Sequence, residues 1–165
     1  EVKIDKPNKD NIGEILVRGK NVMKGYYRDA QQTKEVITPD GYFKTGDLGY
    51  FGKDGALFVV GRSKELIIRS GFNVFPPEVE AMLTKHPSVY QAAVIGKKTK
   101  TNEDILAFIL TDGEVIETEL KQWLRKYLAP YKIPQHIHIV KKFPTAATGK
   151  ILKHKLTTFF ADILH

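Results

Sequence analysis

A small antiparallel β unit followed by an α/β domain of about 100 residues is the architecture this sequence predicts. Three observations carry the prediction. The turn dipeptides Asp40-Gly41 and Asp54-Gly55 punctuate the first third, and the second separates Leu48–Phe51 from Ala56–Val60 as in a β-hairpin. Past Gly61-Arg62-Ser63-Lys64 the pattern changes to strand-like runs alternating with helical ones. Prolines then bracket the helical stretches, with Pro76-Pro77 at the start of one and Pro130 and Pro134 after another. The class is therefore mixed, α+β and α/β: a β-rich subdomain, then a compact domain with a small central sheet flanked by helices.

The elements follow in order. Ile12-Gly13-Glu14-Ile15-Leu16-Val17-Arg18 alternates as a half-buried strand does. Asp29–Val36 reads as a short helix with Asp29 at its N-cap, where a carboxylate can accept from a free backbone N–H. Strand-like Leu66–Arg69 runs into a turn at Ser70-Gly71. The helix after Pro76-Pro77 has prolines where no N–H is needed, and Glu78 and Glu80 suit the positive end of its dipole. Val89–Ile95 and Ile105–Leu110 read as strands. Thr118–Leu128 places Leu120, Trp123, Leu124, Tyr127 and Leu128 at helical spacing, and Ile137–Val140 is a last strand. A basic amphipathic stretch, Ile151 to Phe160, follows.

With 165 residues the chain is long enough to bury a real core, and 42% hydrophobic with 27% charged residues is ordinary globular composition. The absence of cysteine excludes disulfides and thiolate metal sites. No apolar run approaches the roughly 20 residues that span a bilayer. The chain opens without Met or a secretory signal, so it is expected to begin inside a longer polypeptide. Its net charge of +7 divides into +2 over residues 1–63 and +5 over residues 64–165. Such an excess suits nucleic acid, an anionic membrane surface or phosphate-rich small molecules. No helix-turn-helix, zinc spacing or aromatic-basic RNA motif accompanies it, which excludes nucleic acid as the preferred partner.

The chemistry concentrates in four segments. Pro144-Thr145-Ala146-Ala147-Thr148-Gly149-Lys150 presents one lysine beside a glycine in a Thr/Ala-rich loop. The glycine lets the backbone approach a ligand, and the lysine is a compact, mobile charge for a phosphate or carboxylate. Upstream lie Tyr42-Phe43-Lys44-Thr45-Gly46-Asp47-Leu48, Gly61-Arg62-Ser63-Lys64-Glu65-Leu66-Ile67 and Ser70-Gly71-Phe72-Asn73-Val74-Phe75-Pro76. In this order and spacing they resemble the late core motifs of the adenylate-forming enzymes, from about Gly13 to Leu156. That superfamily includes acyl-CoA synthetases, enzymes of the firefly-luciferase type and the adenylation domains of peptide synthetases.

The resemblance implies a division of labour. Residues 1–63 correspond to the β-rich end of a large N-terminal domain, and 64–165 to a mobile C-terminal lid with its hinge at Lys64. The reaction joins a carboxylate to ATP, giving an acyl-adenylate and pyrophosphate, and then transfers the acyl group to a thiol with release of AMP. Lys150 matches the catalytic lysine of the first step. Asp47 matches the ribose-binding acid, since a carboxylate accepts from two vicinal hydroxyls. Arg62 matches a contact to ribose or phosphates. Ser70, Gly71 and Phe72 match the CoA segment, with Gly71 lining the pantetheine tunnel. Each has a plainer alternative: a solvated lysine, a turn aspartate after Gly46, an Arg62 ion pair with Glu65 or Asp47, and a left-handed turn glycine.

Within the superfamily, Gly71–Glu80 is similar to the fatty-acid:CoA ligases rather than to peptide-synthetase domains. The lysine loop departs from the commoner Pro-Lys-Thr-Ala-Thr-Gly-Lys at Thr145 and Ala146, which bears on positioning and not on the key residue. The implied partners are ATP, CoA, a fatty acid and the N-terminal domain. Mg²⁺ is expected on the ATP phosphates and on residues outside this chain. A cytoplasmic enzyme with peripheral membrane association is the expected setting. An adenylation fragment that loads a carrier protein and a non-catalytic module of the same fold are the alternatives. Neither the acyl pocket nor the Gly/Ser/Thr-rich phosphate loop is in this chain, so it should not turn over alone. His136 and His138 share a strand face at i, i+2 without a third metal ligand in view and read as ordinary edge-strand residues.

Overall fold

The computed structural model describes residues 1–164 and divides into two compact units, Glu1–Lys64 and Glu65–His165. The first unit is an antiparallel meander of four strands, β1 (Val2–Asp5), β2 (Gly13–Val17), β3 (Phe43–Phe51) and β4 (Leu57–Arg62), in the order β1-β2-β3-β4. The helix α1 (Ala30–Val36) is capped by Asp29, whose carboxylate accepts from the Gln32 N–H at 2.8 Å. The Asp54-Gly55 hairpin forms, with Phe51 paired to Leu57 and Gly55 at φ +80°.

Two features of this unit lie outside the sequence pattern. β1 carries Lys3 and Asp5 in four residues, and it exists because each residue from Val2 to Asp5 pairs with β2. β3 begins five residues before the expected Leu48 and runs through Gly46-Asp47. The Thr45 hydroxyl donates to the Ile15 carbonyl at 2.8 Å and accepts the Asp47 N–H at 3.0 Å, while the Gly46 N–H donates to Glu14 Oε1. These bonds hold the segment to β2, so Asp47 sits on a strand and not in a turn.

The second unit is built on a three-stranded sheet, β7 (Val89–Lys98), β8 (Glu103–Thr111) and β9 (His136–Ile139), with β7 antiparallel and β9 parallel to the central β8. A two-stranded hairpin, β5 (Ile67–Arg69) and β6 (Phe72–Val74), precedes it. Ile105–Leu110 is an unbroken apolar run because a central strand is covered on both faces. Ile105, Ala107 and Ile109 pack with Val79 and Leu83 of α2 (Pro76–Thr84) and with Leu120 and Leu124 of α3 (Glu117–Arg125). Leu106, Phe108 and Leu110 face Val140, Phe143 and Leu156 on the other side.

The Thr118–Leu128 helix stops at Arg125, and a short 3₁₀ turn, Pro130–Lys132, follows it. Ile151–Phe160 is not one amphipathic helix. It is a 3₁₀ turn, Lys153–Lys155, leading into a single turn of helix, α4 (Leu156–Phe159). No helix of the described residues is long and apolar enough to cross a membrane.

β9 is an edge strand, and its two histidine rings stack 6.0 Å apart. His138 also stacks on Phe108, and its buried Nε2 has no hydrogen-bond partner among the described residues. Burial, and then the neighbouring His136, hold the His138 pKa below its usual 6.5. A base whose folded pKa is depressed favours folding fully above its unfolded value and progressively less as pH falls below it. The stability of this unit should therefore drop as pH is lowered through about 6.5. Urea melts at successive pH values should show that drop, and His138→Phe should flatten it and stabilise by about 1 kcal/mol by removing the orphaned nitrogen. An unchanged pH slope in the variant would refute the assignment.

Candidate functional site

The sequence-predicted site residues fall into two groups, one in each unit. In the first, Asp47 and Arg62 are cross-strand partners on β3 and β4, and Arg62 Nε stands 2.7 Å from Asp47 Oδ1. Of the two ion pairs open to Arg62 from sequence, the one with Asp47 forms. Its side chains are 58% and 32% exposed, so the pair contributes little to stability and remains open to solvent. Asp47 Oδ2 accepts no hydrogen bond among the described residues. Gly46 has φ +73° and no atom within 4 Å of where a Cβ would stand, so its backbone angle, not crowding, favours glycine there.

In the second unit, Ser70 and Gly71 are the two loop residues of the β5–β6 hairpin, with φ +51° and +80°. Positive φ at both positions is what a two-residue hairpin turn of this twist demands, and glycine meets it without a Cβ penalty. Residues far away in sequence hold the turn. The Ser70 N–H donates to Asn102 Oδ1 at 2.8 Å, the Ile68 N–H to Glu103 Oε2 at 2.9 Å, and Arg69 to the Ile133 carbonyl at 2.7 Å. Phe72 is half exposed and stacks on Tyr131, with ring centroids 4.4 Å apart. A Cβ at Gly71 would meet nothing within 4 Å, so in this unit the backbone angle alone dictates glycine. Gly71→Ala should cost about 1–2 kcal/mol, and Gly71→Asn less, in denaturant melts of the chain; equal stability of Gly71→Ala would contradict the left-handed turn.

The lysine loop is closed by backbone bonds. Ala146 N–H donates to the Lys150 carbonyl at 2.9 Å, Gly149 N–H to Ala146 at 2.9 Å, and Leu152 N–H to Pro144 at 2.8 Å. Thr145 and Ile151 form an isolated antiparallel bridge, and Gly149 takes φ +82°. The Lys150 side chain is exposed, and its ammonium makes no ion pair or hydrogen bond among the described residues. A small hairpin thus presents an uncommitted ammonium group.

Sequence reasoning missed the ion pairs that fix this region. Lys153 Nζ lies 3.0 Å from Glu65 Oε2 and 2.7 Å from Glu80 Oε1, and Glu80 Oε1 also accepts the Val94 N–H at 2.7 Å. Lys132 pairs with Glu78 at 2.6 Å. Glu65, a candidate partner of Arg62 by proximity in sequence, is engaged by a residue 88 positions away. The acidic first turn of α2 was readable as a dipole match, but its partners were not. Among the described residues no group of three or more His, Cys, Asp or Glu is arranged to hold a metal ion.

Residues 78–150 match the family described as AMP-binding enzyme C-terminal domain. The chain is similar to the 2-succinylbenzoate–CoA ligase of Bacillus licheniformis, 44% identical over 145 residues, covering 87% of this chain and 30% of that protein. It is similar to 4-coumarate–CoA ligase 1 of Oryza sativa at 42% identity over 148 residues, covering 87% of this chain and 26% of that protein. The structure of the O-succinylbenzoate coenzyme A synthetase MenE from Bacillus subtilis, in complex with ATP and magnesium ion, superimposes with a TM-score of 0.86 at 36% identity. That match covers 95% of this chain and 34% of MenE. The chain thus spans about 30% of the length of the curated relatives it matches, which are CoA ligases by name. The fold is that of the C-terminal portion of adenylate-forming enzymes, and the match to the AMP-binding enzyme C-terminal domain lies within it, over residues 78–150.

Proposed function

We propose that this chain is the C-terminal part of an ATP-dependent acid:CoA ligase. In the first half-reaction a carboxylate oxygen attacks the α-phosphate of ATP, forming the acyl-adenylate and expelling pyrophosphate. In the second the CoA thiol attacks the acyl carbon, loses its proton and expels AMP, giving the thioester. The observation that carries the reading is Lys150: an exposed, unpaired ammonium on a closed hairpin, at the end of the matched domain. A nucleophile and an electrophile that are both anionic repel each other. A preorganised cation between them lowers the barrier more than the ground state.

The other candidates take supporting roles. Asp47 would accept from the ribose hydroxyls, with Arg62 holding its carboxylate and offering charge to ribose or phosphate. Magnesium would be held by the ATP phosphates and by residues outside this chain. Ser70, Gly71 and Phe72 would guide the CoA arm. Lys64, the last residue of the first unit, would be the hinge about which the second unit turns between half-reactions.

The supported substrate is a carboxylic acid. The relatives' names cover 2-succinylbenzoate and 4-coumarate, so the fatty acid suggested by the Gly71–Glu80 segment is one member of a wider class. The test is made on the full-length protein, with acid-dependent pyrophosphate release and CoA thioester formation followed separately. Both should require ATP, and the second should require free CoA. Pyrophosphate release with no CoA consumption would refute the CoA-ligase reading and favour a carrier-loading enzyme.

A further inference from the structure

We infer that Lys153 is a positioning residue for Lys150, acting with Glu65 and Glu80 as a clamp on the stem of the lysine loop. The inference rests on the proposed role of Lys150 in adenylation and extends it to residues that touch no substrate.

Geometry supplies the argument. Lys150 has no side-chain partner, so its location depends on where the hairpin stem is anchored. Upstream that anchor is Phe143, buried against the outer face of the sheet. Downstream, Ile151 and Leu152 are only partly buried, and Lys153 is the next side chain in the chain with polar partners. Its ammonium is 22% exposed and sits between two carboxylates, 2.7 Å from Glu80 and 3.0 Å from Glu65.

Each carboxylate refers the loop to a different part of the unit. Glu80 lies on α2, is 19% exposed, and accepts the Val94 N–H of β7 through the same oxygen, so it is tied to the sheet. Glu65 is the first residue of the second unit, immediately after Lys64. The clamp therefore sets the height of the lysine stem against both the sheet and the residue next to the proposed hinge. One ammonium with three donors can serve two carboxylates at once. Removing the Lys153 ammonium leaves the Glu80 carboxylate, the more buried of the two, without its counter-ion. A cation that must meet a developing charge loses most of its effect when misplaced by about 1 Å, which is worth on the order of 10² in rate.

The test uses the full-length enzyme and measures adenylation, as acid-dependent pyrophosphate release, apart from thioester formation from preformed acyl-adenylate. Lys153→Met should lower kcat for adenylation by about 10²-fold with the KM for ATP little changed, and should spare the thioester step. Lys153→Arg should recover most of the loss. In a Lys150→Ala background, Lys153→Met should have no further effect on adenylation, because it acts only through Lys150. Should Lys153→Met not fold, Glu65→Gln, which leaves the Glu80 pair in place, should lower adenylation about tenfold on the same grounds.

A loss of both half-reactions together, or full additivity with Lys150→Ala, would mark the clamp as merely structural and overturn the inference. So would normal adenylation in either clamp variant while Lys150→Ala is impaired. If Lys150→Ala itself adenylates normally, the reading of Lys150 fails first and the clamp goes with it.

Discussion

Lys150→Ala in the full-length enzyme should cut acid-dependent pyrophosphate release about 10²–10³-fold, roughly 3–4 kcal/mol of transition-state stabilisation. Thioester formation from preformed acyl-adenylate should survive. The separation follows from where charge develops. In the first half-reaction the attacking carboxylate and the α-phosphate are both negative, and negative charge gathers on the phosphoryl oxygens as the bond forms. In the second, the attack is on an acyl carbon and does not need the same cation. Because the Lys150 side chain is exposed and makes no hydrogen bond or ion pair among the described residues, and Ala keeps the backbone bond from Ala146, its removal should leave the denaturation midpoint unchanged. That combination, a large rate loss without a stability loss, distinguishes a catalytic lysine from a solvated one. Lys150→Arg should recover only part of the rate, since a planar fork on a longer arm does not reproduce a compact ammonium. Adenylation at the wild-type rate in Lys150→Ala would return the loop to the status of a surface turn.

The largest stability effect should come from Phe108→Ala, at about 3–5 kcal/mol. Phe108 is fully buried on β8 and stacks on Phe160 at 5.0 Å and on His138 at 5.3 Å. It belongs to the cluster that fastens Phe143 and Leu156, and those two residues flank the lysine loop in sequence. Truncation would leave a cavity between the sheet and the C-terminal segment and release the contacts that hold that segment down. A domain's whole stability is usually about 5–15 kcal/mol, so the variant should unfold at a much lower urea concentration. Phe108→Leu, which keeps most of the volume, should cost under about 1.5 kcal/mol. A loss below 1 kcal/mol for Phe108→Ala would mean that this face of the sheet is not the core described. Activity in the full-length enzyme should fall along with stability in this variant, unlike in Lys150→Ala.

Much of the fold was legible because its signals are local. Asp29 caps α1 through a bond to a residue three positions on, and Pro76-Pro77 opens α2 because the first helical N–H groups need no partner. Asp54-Gly55 turns a hairpin because glycine accepts φ +80°. The apolar run Ile105–Leu110 reads as a strand, and the structure covers both of its faces. The candidate site was legible in another way: Gly149-Lys150, Thr45-Gly46-Asp47 and Ser70-Gly71 stand out through their resemblance to the adenylate-forming enzymes, while their residue types alone suit plain turns and a solvated lysine equally well.

Other elements depended on residues distant in the chain. β1 is too short and too polar, and β6 at three residues too short, to be read alone, and they exist because β2 and β5 supply their ladder bonds. β3 continues through Gly46-Asp47 because Glu14 and Ile15 of β2 receive its polar groups. The Ser70-Gly71 turn rests on Asn102 and Glu103, and Glu65 meets Lys153 across 88 positions. What the sequence by itself determined, then, is the chemistry each segment offers and the backbone angles it accepts, because both are properties of a few adjacent residues. Only the tertiary structure decided which carboxylate meets which ammonium and how the lysine loop is anchored, because an ion pair or ladder bond depends on a partner that folding brings near.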